Sequence, residues 1–157
     1  MPVAIRNLQR AVPIPSARIR RLVGRALAIL GRSGSEAHLT FVGDGRIRRL
    51  NARFRGVRRR TDVLAFPLEG PGPASLLGEV IISVEACRRQ ARRLRIPLAI
   101  ELDLLVVHGL LHLVGYDDRD PIEARLMHAR ERQILQQLGG RLPTRLWTGL
   151  GLSEQPA

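Results

Sequence analysis

His108 and His112 stand four residues apart in the segment HGLLHLVGYDD, which runs from His108 to Asp118. On a helix this spacing puts two imidazoles on one face, one turn apart, where both rings reach a single metal ion. Gly115 lets the chain leave the helix and fold back, so that Asp117 or Asp118 supplies a third ligand at the helix end. Two imidazoles and a carboxylate leave coordination positions open for water or substrate, as a catalytic metal site requires. The competing reading is a pair of core histidines bonded to backbone. Acidic residues just past the helix, and two of the chain's four histidines within one turn, favour the metal.

A second cluster is Phe54-Arg55-Gly56, followed by Arg58, Arg59, Arg60, Thr61 and Asp62. An arginine on a tight glycine turn beside a strand suits a scissile phosphate. Arg58 to Arg60 suit contacts that track a phosphate backbone, or a solvated charge run, better than chemistry. No general base is evident. Position 109 is Gly, where a metalloprotease of the H-E-x-x-H class carries its glutamate, which weighs against a zinc protease.

These groups need a scaffold. Val3 to Ile5 is a short strand, and Pro15-Ser16 opens a helix to about Leu30 with Ser16 as N-cap. Its apolar face is Ile19, Leu22, Val23, Ala26 and Leu27. His38 to Val42 reads as a strand, and Asp44 caps a helix reaching about Phe54. Val63 to Leu68 and Leu77 to Val84 read as two strands joined through Gly70-Pro71-Gly72-Pro73. Helices follow from Val84 to Leu94, from Pro97 to Val114 with Gly115 as its stop, and from Pro121 to about Leu138. Strands and helices mixed in this way give an α+β domain over residues 1–142, followed by a loosely ordered tail at 143–157.

The 157 residues carry a net charge of +12, and every basic residue is Arg. The guanidinium fork binds phosphate bidentately, so the charge points to a polyanionic partner, nucleic acid before membrane. GC-rich codon usage accounts for Arg in place of Lys, but not for the net charge. Cys87 is the single cysteine, which excludes an internal disulfide and a multi-cysteine zinc site. The first residues lack the apolar core of a signal peptide, and the apolar stretch from Leu102 to Tyr116 is broken by Asp103, His108 and His112. The expectation is a cytoplasmic protein.

The segment HGLLHLVGYD resembles the signature H-G-x-L-H-L-x-G-Y-D-H of the YbeY family of bacterial rRNA maturation factors. FRGVRRRTDVLAFPL is similar to that family's aromatic-Arg-Gly turn followed by T-D-V-L-S-F-P, and LLGEVIIS to its L-G-D-I-x-I-S strand. Met127, Glu131, Ile134, Leu135 and Gly139 fall where the family's last helix has similar residues. The likeness covers about residues 40 to 139. It implies a single α+β domain with a small mixed four-stranded sheet flanked by about five helices. It also implies a zinc-dependent endoribonuclease that acts on single-stranded RNA, with a part in 16S rRNA 3′ maturation and ribosome quality control at the small subunit.

Carried over, the family's three histidine ligands fall on His108, His112 and position 118, and its functional arginine on Arg55. Here the chain departs, because position 118 is Asp. A carboxylate binds zinc, but its charge weakens polarisation of a bound water and makes Mn²⁺ or Fe²⁺ better suited than with three imidazoles. The same departure sustains a rival from another class, a non-catalytic ribosome-assembly factor that binds RNA with a weakened metal site.

Overall fold

A computed structural model describes residues 3–53, 62–68, 76–139, 142, 143 and 146. The elements run β1 (Val3–Asn7), α1 (Ser16–Ile29), β2 (Glu36–Val42), α2 (Asp44–Arg53), β3 (Val63–Pro67), β4 (Leu76–Ser83), α3 (Val84–Leu94), α4 (Leu98–Leu113) and α5 (Pro121–Gln137). The four strands form one mixed sheet in the order β1-β2-β4-β3. β1 and β2 are parallel, as are β2 and β4, while β3 returns antiparallel along β4. This is the α+β domain that the resemblance implies.

Alternation along the strands divides the interior in two. Leu39, Phe41, Val80 and Ile82 join the main core with α1, α3, α4 and α5, whereas Val42, Leu64 and Ile81 meet Ile47 of α2 on the opposite face. The apolar run that would make a poor membrane span is instead the central helix. In α4, Leu102, Leu104, Leu105, Val106, Val107, Leu110 and Leu111 are all buried, as expected of a helix apolar all round. No helix among the described residues is long and apolar enough to cross a membrane.

One glycine fixes how close α4 comes to the sheet. A Cβ at Gly109 would lie 2.4 Å from a methyl of Val80 in β4, so any side chain there would force Val80 or the helix to shift. The absence of a glutamate at this position therefore has a packing cause.

Two local expectations need correction. Ser16 is the first residue of α1, not its N-cap; Pro15 takes that place, and no side chain caps the helix. β1 also extends to Asn7, because its pairing with β2 continues as far as Phe41. In the segment expected to be loose, Leu146 is buried against the core; residues 144, 145 and 147–157 lie outside the described residues. So does the Gly-Pro joint between β3 and β4.

Candidate metal centre

The end of α4 builds the site. Gly115 has φ 105°, a conformation that glycine adopts without a Cβ penalty. The Tyr116 N–H then donates to the Leu111 carbonyl at 3.0 Å and the Gly115 N–H to the His112 carbonyl at 3.2 Å. This paired closure turns the chain back over the last turn of the helix. Asp118 is thereby brought to the histidines: its carboxylate oxygens lie 3.8 Å from His108 Nε2 and 3.9 Å from His112 Nε2. The carboxylate is not needed to cap the next helix, because Asp120 accepts from the Glu123 N–H at 2.9 Å and Pro121 occupies the first turn. Asp117 is engaged elsewhere, accepting from the Asp118 N–H and pairing with Arg119.

The hydrogen bonds fix which ring nitrogens are bare. His108 Nδ1 lies 2.6 Å from Glu131 Oε2, and His112 Nδ1 lies 3.1 Å from the Tyr116 carbonyl. Burial pushes the Glu131 carboxyl up, but its two imidazole neighbours His108 and His128, each in hydrogen-bond contact with one of its oxygens, outweigh it and hold the carboxyl below its ordinary value. An ionised carboxylate and a carbonyl only accept, so both Nδ1 atoms carry hydrogen. In the neutral rings the two Nε2 lone pairs then face each other 3.2 Å apart. Burial, followed by the nearby His108, pushes His112 below its ordinary pKa, which disfavours resolving the clash with a proton. A cation resolves it. Two nitrogens on one tetrahedral zinc lie roughly 3.3 Å apart, from bond lengths of about 2.0–2.1 Å, so the observed separation fits a shared ion.

Among the described residues, two groups have donor atoms close enough to hold a metal: His108, His112 and Asp118, and His108, His128 and Glu131. Distances separate them. In the second group Glu131 meets His108 Nδ1 at 2.6 Å and His128 Nδ1 at 2.5 Å. These are hydrogen-bond lengths, too short for two ligands of one ion. The first group is the candidate centre. His108 is 1% exposed, and the side chains of His112 and Asp118 are 10% and 9% exposed, so the group sits at the edge of the core.

The sequence-derived residues on α4 and after it thus come together in space. Arg55, Arg58, Arg59 and Arg60 lie outside the described residues. Sequence reasoning placed Glu131 only on the family's last helix, and set His128 aside as a replacement ligand because its spacing did not recommend it; it missed the place of both behind His108. A signal existed: Glu131 shares the core-facing stripe of α5 with Met127, Ile134 and Leu135, and a charge in an apolar stripe requires a buried partner.

Residues 4–139 match the family model described as endoribonuclease YbeY. A curated relative of that description from Anaeromyxobacter sp. (strain Fw109-5) is 46% identical over 123 residues, which are 78% of this chain and 64% of that protein. Another, from Syntrophus aciditrophicus (strain SB), is 38% identical over 146 residues, 89% of this chain and 91% of its own length. The chain therefore spans about two thirds of the Anaeromyxobacter protein and nearly the whole of the second. The solution structure of TM1509 from Thermotoga maritima is similar with a TM-score of 0.57 at 25% identity, covering 94% of this chain and 92% of that one.

Proposed function

This chain belongs to the endoribonuclease YbeY family, and on that premise we propose that it is a metal-dependent endoribonuclease that cuts single-stranded RNA. The observation that carries the reading is the pair of bare Nε2 atoms 3.2 Å apart beside the Asp118 carboxylate. His108, His112 and Asp118 would hold one divalent ion, Zn²⁺ or, given the carboxylate, Mn²⁺ or Fe²⁺. Such an ion supplies Lewis acidity toward a phosphate oxygen or lowers the pKa of a bound water.

The chain's own groups do the rest. His108 and His112 keep their lone pairs free because Glu131 and the Tyr116 carbonyl take the opposite N–H groups. In this proposal Arg55 stabilises the charge that builds on the reacting phosphate, and Arg58, Arg59 and Arg60 hold the RNA backbone on either side. A metalloprotease role is disfavoured by packing, since Val80 leaves no room for a glutamate at position 109. The substrate proposed is ribosomal RNA on the small subunit, cut during 3′-end maturation of 16S rRNA and in ribosome quality control in the cytoplasm. The net charge of +12 supports a polyanionic partner of that kind.

The test is metal content with cleavage. The purified chain should hold about one transition-metal ion and cut single-stranded RNA, and His108→Ala/His112→Ala should lose both. Equal metal in the two proteins would defeat the proposal. Metal and RNA binding without cleavage would instead favour the non-catalytic assembly factor that Asp118 keeps in play. Arg55→Ala should slow cleavage by about 100-fold while leaving RNA binding nearly intact.

A further inference from the structure

Glu131 is a fully buried carboxylate with two imidazole partners, and only one of them belongs to the proposed metal centre. Oε2 accepts from His108 Nδ1 at 2.6 Å, and Oε1 accepts from His128 Nδ1 at 2.5 Å. The two rings lie nearly parallel, 20° between planes, with centroids 6.2 Å apart on either side of the carboxylate. Glu131 itself is 0% exposed. Burying an ionised carboxylate is costly unless both oxygens are satisfied, and here each oxygen has one N–H donor.

We propose that Glu131 and His128 are positioning residues of the metal centre: Glu131 locks the His108 tautomer with its lone pair on Nε2, and His128 locks Glu131. This rests on the reading of His108 as a metal ligand. The argument is one of donors and acceptors. A carboxylate only accepts, so both facing Nδ1 atoms must carry hydrogen, and the His108 Nε2 is left bare toward His112. A glutamine at 131 presents one acceptor and one donor. If its amide N–H₂ faces His108, the imidazole must move its hydrogen to Nε2, where the ion's ligand atom has to be. If it faces His128, then His128 must switch instead and the carbonyl remains for His108, but the negative charge that raises His108 basicity is gone. Either way the ion is held less tightly.

His128 acts one step further out. Without its N–H, Oε1 is left buried and unsatisfied, and the carboxylate is freer to rotate or take up a proton. Asparagine is the conservative replacement, because its amide nitrogen can stand where His Nδ1 stands.

The experiment measures Zn²⁺ affinity by competition with a chromophoric chelator, alongside the melting temperature of each metal-free protein. Glu131→Gln should lower Zn²⁺ affinity by about 10- to 100-fold, the usual loss when a ligand's outer partner is removed. His128→Leu should lower it by a smaller factor, and His128→Asn should restore most of the difference. In the Glu131→Gln background, His128→Leu should add no further loss, since its effect passes through the carboxylate. Wild-type affinity in Glu131→Gln would overturn the inference. If Glu131→Gln does not fold, the His128 pair decides: equal affinity for Leu and Asn variants would overturn it. A wild type with no Zn²⁺ affinity would instead overturn the metal reading on which the inference stands.

Discussion

Two carboxylates withdrawn from water, the buried Glu131 of α5 and the half-buried Asp103 of α4, meet opposite fates. Glu131, near the histidines, is desolvated completely yet stays ionised, held below its ordinary value by His108 and His128. Asp103, near the start of α4, keeps 18% of its side chain exposed and pairs with Arg18. Its pKa is nevertheless pushed up, with burial the leading cause and Arg18 opposing it. The difference lies in how many donors each carboxylate has. Both Glu131 oxygens are met by N–H groups, whereas Asp103 Oδ1 is buried without a hydrogen-bond partner among the described residues. Burial sets the cost of a charge, and the number of aimed donors decides whether the cost is met.

The largest effect should come from removing each carboxylate in turn. Glu131→Leu leaves two buried N–H groups facing an apolar side chain and should cost about 3–5 kcal/mol. Asp103→Leu removes a half-satisfied acid whose arginine partner reaches solvent, and should cost about 1 kcal/mol or less. Urea unfolding of the metal-free proteins measures both. Equal losses would erase the distinction between the two carboxylates.

Metal should sharpen the contrast from the other side. At 100 times its dissociation constant, Zn²⁺ should raise wild-type stability by about 2.7 kcal/mol. Asp103→Asn should keep that gain, and Asp118→Ala should lose most of it while retaining the Asp120 cap of α5. Melts with and without Zn²⁺ would expose a misassigned third ligand if Asp118→Ala gained as much as wild type.

The smallest effect is in the pH dependence. Asp103 has a folded pKa above its ordinary value of 3.8, so the folded state binds its proton more tightly than the unfolded one. Its contribution to stability therefore falls as pH rises from 3.8 through the raised folded value, and the loss is complete above it. The stability of wild type relative to Asp103→Asn should decline across that window and be flat beyond it. A relative stability that rose with pH there would mean that Arg18 governs the carboxylate after all.

What the sequence determined by itself was whatever depends on neighbours along the chain. The spacing of His108 and His112, the glycine stop at Gly115 and the start of α5 at Pro121 are local facts, and the structure reproduces them. The residues alone left Asp117 and Asp118 both within reach, because a turn of unknown geometry separates them from the helix, and the family likeness pointed to position 118. The tertiary structure supplied the physical reason for that choice: the closure at Gly115 and Tyr116 directs Asp118 toward the imidazoles, while Asp117 pairs with Arg119. The choice of Gly at 109 was legible as a missing catalytic glutamate, but its cause, the methyls of Val80, lies on a strand some thirty residues away. The stripe of α5 marked Glu131 as a buried charge in need of a partner, but not which partner. The roles of Glu131 and His128 come from α5 packing across α4, and hydrogen bonds between helices depend on distances that no local pattern encodes.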